Sequence, residues 1–143
     1  MTHRKAVLAL LIFGIAAHTA AHAQERREYD RSIDCSRTEE LTGMELGQCI
    51  GRDRDLAEYS MGVTYRQLIS RTSDKEAAKA VAVAQKSWEA FRMKECEADA
   101  HMQGFRPAGS MYGTVVGICL TGMAQIREKE LSRQLRVMNE LRR

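Results

Sequence analysis

Proline occurs once in this chain of 143 residues, at Pro107, so the commonest interruption of a helix is confined to one place. Thr, Val and Ile seldom alternate with polar residues, which argues against a sheet. No apolar run reaches the roughly 20 residues needed to span a bilayer. No glycine-rich phosphate loop and no Ser-His-Asp arrangement can be assembled. No C-x2-C pair is present, so the cysteines lack the usual spacing of a zinc site. With no catalytic constellation in view, an enzyme is not expected, and no cofactor or metal is called for.

What the chain does have begins at its start. Residues 1–23 read as a signal peptide: Arg4 and Lys5, an apolar stretch from Ala6 to Ala17, and Ala21-His22-Ala23 before Gln24. No cysteine ends the apolar run, which closes the lipoprotein route. Export to the periplasm or the exterior is therefore expected, with no stable membrane anchor after cleavage. Cleavage after Ala23 leaves 143 − 23 = 120 residues, one modest domain. Of the 22 basic residues Arg4 and Lys5 are lost, leaving 20 against 19 acidic, a net charge of +1 that gives no reason to expect nucleic acid. His3, His18 and His22 also go, and His101 alone remains.

Long stretches rich in Ala, Glu, Lys, Arg, Gln, Leu and Met predict an all-α protein. Residues 24–33 are charged and aperiodic, and are expected to form a flexible N-terminal arm. Thr42 with Glu45 is a capping-box pattern that opens a short helix carrying Cys49 on its last turn. A second helix is expected from Asp53 or Asp55 to about Thr72, with Met61, Tyr65 and Leu68 on one stripe. Arg71-Thr72-Ser73-Asp74 supplies a break or a new cap, so 53–100 is one helix or two. Beyond it, Ala77, Val81, Ala84, Trp88 and Phe91 define a buried seam centred on Trp88. Gly104 and Pro107-Ala108-Gly109 mark a loop, and Ser110 is placed to cap a last helix.

All four cysteines, Cys35, Cys49, Cys96 and Cys119, lie beyond the signal, an even count in an oxidising compartment. If the helices flanking residue 107 fold back antiparallel, Cys96 faces Cys119, and Cys35 is left to pair with Cys49. Two crossed pairings remain as alternatives. The expected architecture is a small antiparallel helical bundle or hairpin stapled by two disulfides.

Other clusters have plainer explanations. Glu97 and His101, beside Glu95 and Asp99, have a spacing suited to a divalent metal, but a single imidazole favours a solvated acidic helix end. The methionines read as gap-filling residues. Arg133, Arg136, Arg142 and Arg143 read as a solvated basic helix face, one that suits anionic lipid or an acidic partner.

The segment Ala84-Gln85-Lys86-Ser87-Trp88-Glu89-Ala90-Phe91-Arg92-Met93-Lys94-Glu95-Cys96 resembles the A-Q-x-x-W-x-x-[YF]-R-x-x-x-C signature of the LprI-like lysozyme-inhibitor domain of small exported bacterial proteins. Asp34-Cys35, Thr42, Glu45, Cys49, Tyr65, Leu68 and Gly109-Ser110 follow the same order. Cys119, Thr121, Arg127 and Leu131 resemble the family's ending with an offset at Thr121, and Met61-Gly62 stands where the family has Leu-Asn. The resemblance makes 34–143 an LprI-like helical domain with Gln85, Trp88, Phe91 and Arg92 as its signature.

On physical grounds Trp88 and Phe91 are expected in the core. Arg92, on the same helix face as Gln85, is expected to hydrogen-bond the 104–110 loop or a carboxylate such as Glu45 or Glu130. The resemblance implies a non-enzymatic protein that binds a protein partner, a c-type lysozyme in the first instance, through Arg106, Ser110 and Tyr112 of the loop. A general envelope interaction or stress protein on the same scaffold is the alternative.

Overall fold

The computed structural model describes residues 28–141. The expected signal peptide, and Arg142 and Arg143, lie outside the described residues. Three helices account for most of what is described: α1, Gly43–Arg71; α2, Lys75–Met102; and α3, Tyr112–Glu140. A single 3-10 turn, Thr38–Glu40, precedes them.

The start of α1 is the capping box expected from sequence. Thr42 Oγ1 accepts from the Glu45 amide, and the Thr42 amide donates to the Glu45 carboxylate at 2.8 Å. The helix then runs unbroken for 29 residues, so the expected short helix and second start near Asp53 or Asp55 are replaced by one element. Nothing between 49 and 55 removes a backbone donor, and acids in a helix interior do not end a helix whose opposite face is buried. The break comes at Thr72–Asp74, where Asp74 caps α2 by accepting from the Glu76 amide at 2.9 Å. Residues 53–100 therefore belong to two helices.

Consecutive helices run antiparallel, which sets α1 and α3 parallel to each other. Matched pairs climb both helices in step: Ile50 with Gly117, Thr64 with Glu128 at 3.1 Å, and Thr72 with Met138 at 3.7 Å. The α1–α3 interface is the most extensive of the three. It is close because a side chain is missing where the helices meet. A Cβ on Gly117 would sit 2.8 Å from Ile50 Cγ2, inside any tolerable contact.

The core consists of Ala57, Met61, Leu68, Ala124 and Leu131, with Tyr65, Val81, Trp88, Leu135 and Met138 partly buried around it. Leu131 is its largest fully buried side chain. Trp88 is therefore at the edge of the core and not its centre. Phe91 is 53% exposed, a correction to the expected seam. The inner face of α2 follows Val81, Gln85, Trp88, Arg92, Cys96 and Ala100, turned away from the line through Ala84 and Phe91.

Candidate functional site

Both disulfides staple the same end of the bundle. Cys35–Cys49 joins the N-terminal segment to the second turn of α1, and Cys96–Cys119 joins the C-terminal part of α2 to the second turn of α3. These are the pairs predicted from folding the helices back at the loop, and the crossed pairings are absent. The irregular segment 28–42 and the loop 103–111 both lie at this end, since α1 and α3 begin where α2 stops.

Residues 28–33 belong to the segment expected as a flexible arm. Here Tyr29 packs over Gly51 and donates from its hydroxyl to Asp55 at 2.6 Å, and the Asp30 amide donates to Gln48 at 2.9 Å. Asp30 and Asp34 each accept from the amide and hydroxyl two residues on, at Ser32 and Ser36. The hydroxyl donors first, then the amides, hold both carboxyls below their ordinary range, and Thr42 does the same to Glu45.

A carboxylate with a depressed folded pKa stabilises the fold above its unfolded pKa and ceases to do so as pH falls through the folded one. Amide protection in 30–45 should accordingly drop as pH is lowered below the ordinary carboxylate range, while α2 and α3 keep theirs. Uniform protection of 30–45 from neutral to strongly acid pH would contradict these bonds as the anchor.

The loop begins at a Schellman motif: the Gly104 amide donates to His101 O at 3.1 Å and the Phe105 amide to Ala100 O at 2.9 Å. Gly104, at φ 88°, takes the left-handed conformation that this motif needs. Arg106 is exposed but folded back, its Nη1 donating to the carbonyls of His101 at 3.0 Å and Phe105 at 2.9 Å. A guanidinium there adds charge-assisted bonds beside the negative end of α2 and ties the loop to it. Ser110 does not cap α3. The N-cap is Met111, without a side-chain bond, and Ser110 lies exposed in the turn before it. Tyr112 opens α3 with its ring tilted against His101 at 5.6 Å between centroids.

Three of the signature residues, Gln85, Trp88 and Arg92, gather elsewhere, midway along the bundle, while Phe91 points away from them. Gln85 is buried, accepts from Arg127 Nε at 3.1 Å and donates to Glu89 at 3.1 Å. Arg92 and Arg127 flank Trp88, their guanidinium carbons 5.2 and 5.6 Å from its ring centre. The partner of Arg92 is Glu58 of α1 at 3.1 Å, in place of the expected Glu45 or Glu130; Glu130 instead holds Arg127 at 2.9 Å.

The side chains of Arg92 and Arg127 are only 13% and 12% exposed. Arg54 Nε and Arg92 Nη1 are buried with no hydrogen-bond partner; attraction to Glu58 compensates both, and the ring face of Trp88 adds to it for Arg92. Sequence reasoning missed Glu58 and Arg54 because, read one at a time, a charged residue on a helix looks solvated. Glu97 and His101 form no metal cluster, and among the described residues no three metal-ligating side chains converge.

The sequence model of the family described as lysozyme inhibitor LprI matches residues 35–131. The chain belongs to the LprI lysozyme-inhibitor family. No curated protein and no solved structure matches it. The LprI match opens at the first stapled cysteine and closes at Leu131, so it spans both disulfides, the 103–111 loop and the Gln85–Trp88–Arg92–Arg127 layer. That layer lies within the bundle and joins its three helices, Arg92 reaching Glu58 of α1 and Gln85 reaching Arg127 of α3.

Proposed function

We propose that this chain is an exported, non-enzymatic binding protein that inhibits a lysozyme by presenting its stapled end to the enzyme's cleft. The observation that carries this is the LprI family match over a fold with one end locked by two disulfides. A lysozyme cleft holds two catalytic carboxyl groups, and a cation on a stiff loop meets them at low entropic cost. Arg106 is the candidate contact, with Ser110 and Tyr112 beside it. Its bonds to the end of α2 keep the guanidinium at the loop and leave further N–H donors on the fork for a carboxylate. Among the described residues no helix is long and apolar enough to cross a membrane, in keeping with action in the periplasm or outside the cell.

Arg106→Glu should weaken inhibition of a c-type lysozyme at least about tenfold, about 1.4 kcal/mol, by setting like charges together. The melting curve should move little, because both hydrogen bonds lost are at an exposed site. The check is lysis of cell-wall substrate at a series of inhibitor concentrations. Full inhibition by the Arg106→Glu protein would remove the loop as the contact. Absence of inhibition by the wild-type chain would shift the reading to another envelope protein as partner, to be identified by pull-down from the periplasm.

A further inference from the structure

Helix α3 has three sides with different surroundings. Thr114, Gly117, Leu120, Ala124 and Leu131 are buried, with Thr114 and Gly117 set against α1, while Cys119, Met123 and Arg127 meet α2 through the disulfide, the Cys96 sulfur and Gln85. The third side is uncovered. Val115, Ile118, Gly122, Ile126, Lys129 and Arg133 follow one another at helical spacings of three and four, and Arg136 and Val137 continue the line. Ile118 is 52% exposed, Ile126 60% and Val137 47%. A Cβ on Gly122 would meet nothing within 4 Å, so no neighbouring element overlies the stripe at that point.

The charge along this side is of one sign until its end. Lys129, Arg133 and Arg136 are exposed and make no ion pair among the described residues. The nearby acids are engaged elsewhere: Glu128 accepts from Thr64 and Ser132, and Glu130 pairs with Arg127. Glu140, at the last turn, is the one acidic residue on this side of α3 among the described residues.

We propose that this outward side of α3 lies on an anionic lipid surface. Exposed Ile and Val interleaved with unpaired Lys and Arg along a helix of about 44 Å fit the headgroup boundary, which accepts apolar side chains and attracts cations together. A soluble polyanion would use the three cations but give Ile118, Ile126 and Val137 no apolar environment. The stripe starts at Val115, beyond the 103–111 loop, and its cations Lys129, Arg133 and Arg136 lie in the half of α3 away from the stapled end, so the loop itself is not part of the membrane surface.

The test is co-sedimentation of the signal-free chain with vesicles of phosphatidylglycerol and phosphatidylcholine, against phosphatidylcholine alone. The anionic vesicles should bind at least about tenfold more tightly, and added salt should weaken the binding. Lys129→Glu with Arg133→Glu should remove that preference. Ile118→Ser with Ile126→Ser should lower binding several-fold with the melting temperature nearly unchanged, since both side chains are exposed. Equal binding to the two vesicle types, or no binding, would overturn the proposal. So would binding that survives both serine substitutions and is competed away by soluble polyphosphate, which would mark a polyanion site.

Discussion

Leu131→Ala is expected to destabilise the protein by about 2–5 kcal/mol, the range for truncating a sealed aliphatic side chain. At about 4 °C per kcal/mol for a domain of this size, the melting temperature should fall by roughly 8–20 °C. Leu131 is 0% exposed and packs in one cluster with Ala57, Met61, Leu68 and Ala124 from α1 and α3. Those two helices are held close by Gly117, so the parallel pair has little freedom to collapse into the space left behind. Phe91→Ala is the companion measurement. Its ring is more than half exposed, and its loss should change stability by about 0.5 kcal/mol. If the two substitutions were equally costly, the α1–α3 seam would not be the centre of the core.

The contrast between Leu131 and Phe91 also shows how far the sequence could be read. The capping box at Thr42 and Glu45 and the loop at Gly104 to Gly109 were legible, because each depends on residue chemistry at fixed short spacing; the cysteine pairs followed only from folding the helices back at that loop, and Arg71 to Asp74 left one helix or two open until the structure divided them. The length of α1 was not legible, since acids at Asp53 and Asp55 suggest a helix start and only tertiary contact shows that the helix passes through them.

The inner face of α2 was misplaced for a related reason. Hydropathy sorts residues by side chain, and a face that buries Gln85 and Arg92 reads as solvent while the neighbouring line through Ala84 and Phe91 reads as core. Family resemblance singled out Gln85, Trp88, Phe91 and Arg92, of which the exposed Phe91 takes no part in the layer. It gave no role to Arg127, which closes the layer from α3, and it did not point to Glu58, which neutralises Arg92 from α1. Contacts between residues that lie 34 to 42 positions apart are written in no local pattern.

Removing the two disulfides one at a time should have unequal consequences, and the asymmetry tests whether the stapled end is a separable unit. Cys96→Ala with Cys119→Ala opens a link between residues 23 apart, with an expected loss of about 3 kcal/mol in global stability. Cys96 is completely buried between α2 and α3, so the loosened pair also loses packing against Met123. The loop 103–111 then hangs on helices no longer locked together, and the proposed lysozyme inhibition should fall with it.

Cys35→Ala with Cys49→Ala opens a link between residues 14 apart. By chain entropy alone it has a similar value, about 3 kcal/mol. No residue from 28 to 42 is buried, however, so most of the effect should be local release of that segment, with a change in the main unfolding transition of about 1 kcal/mol or less. Amide exchange should show lost protection at 30–42 and intact helices. Should the Cys35 pair lower the main transition as much as the Cys96 pair, the N-terminal segment folds as part of the bundle and is not a separable unit.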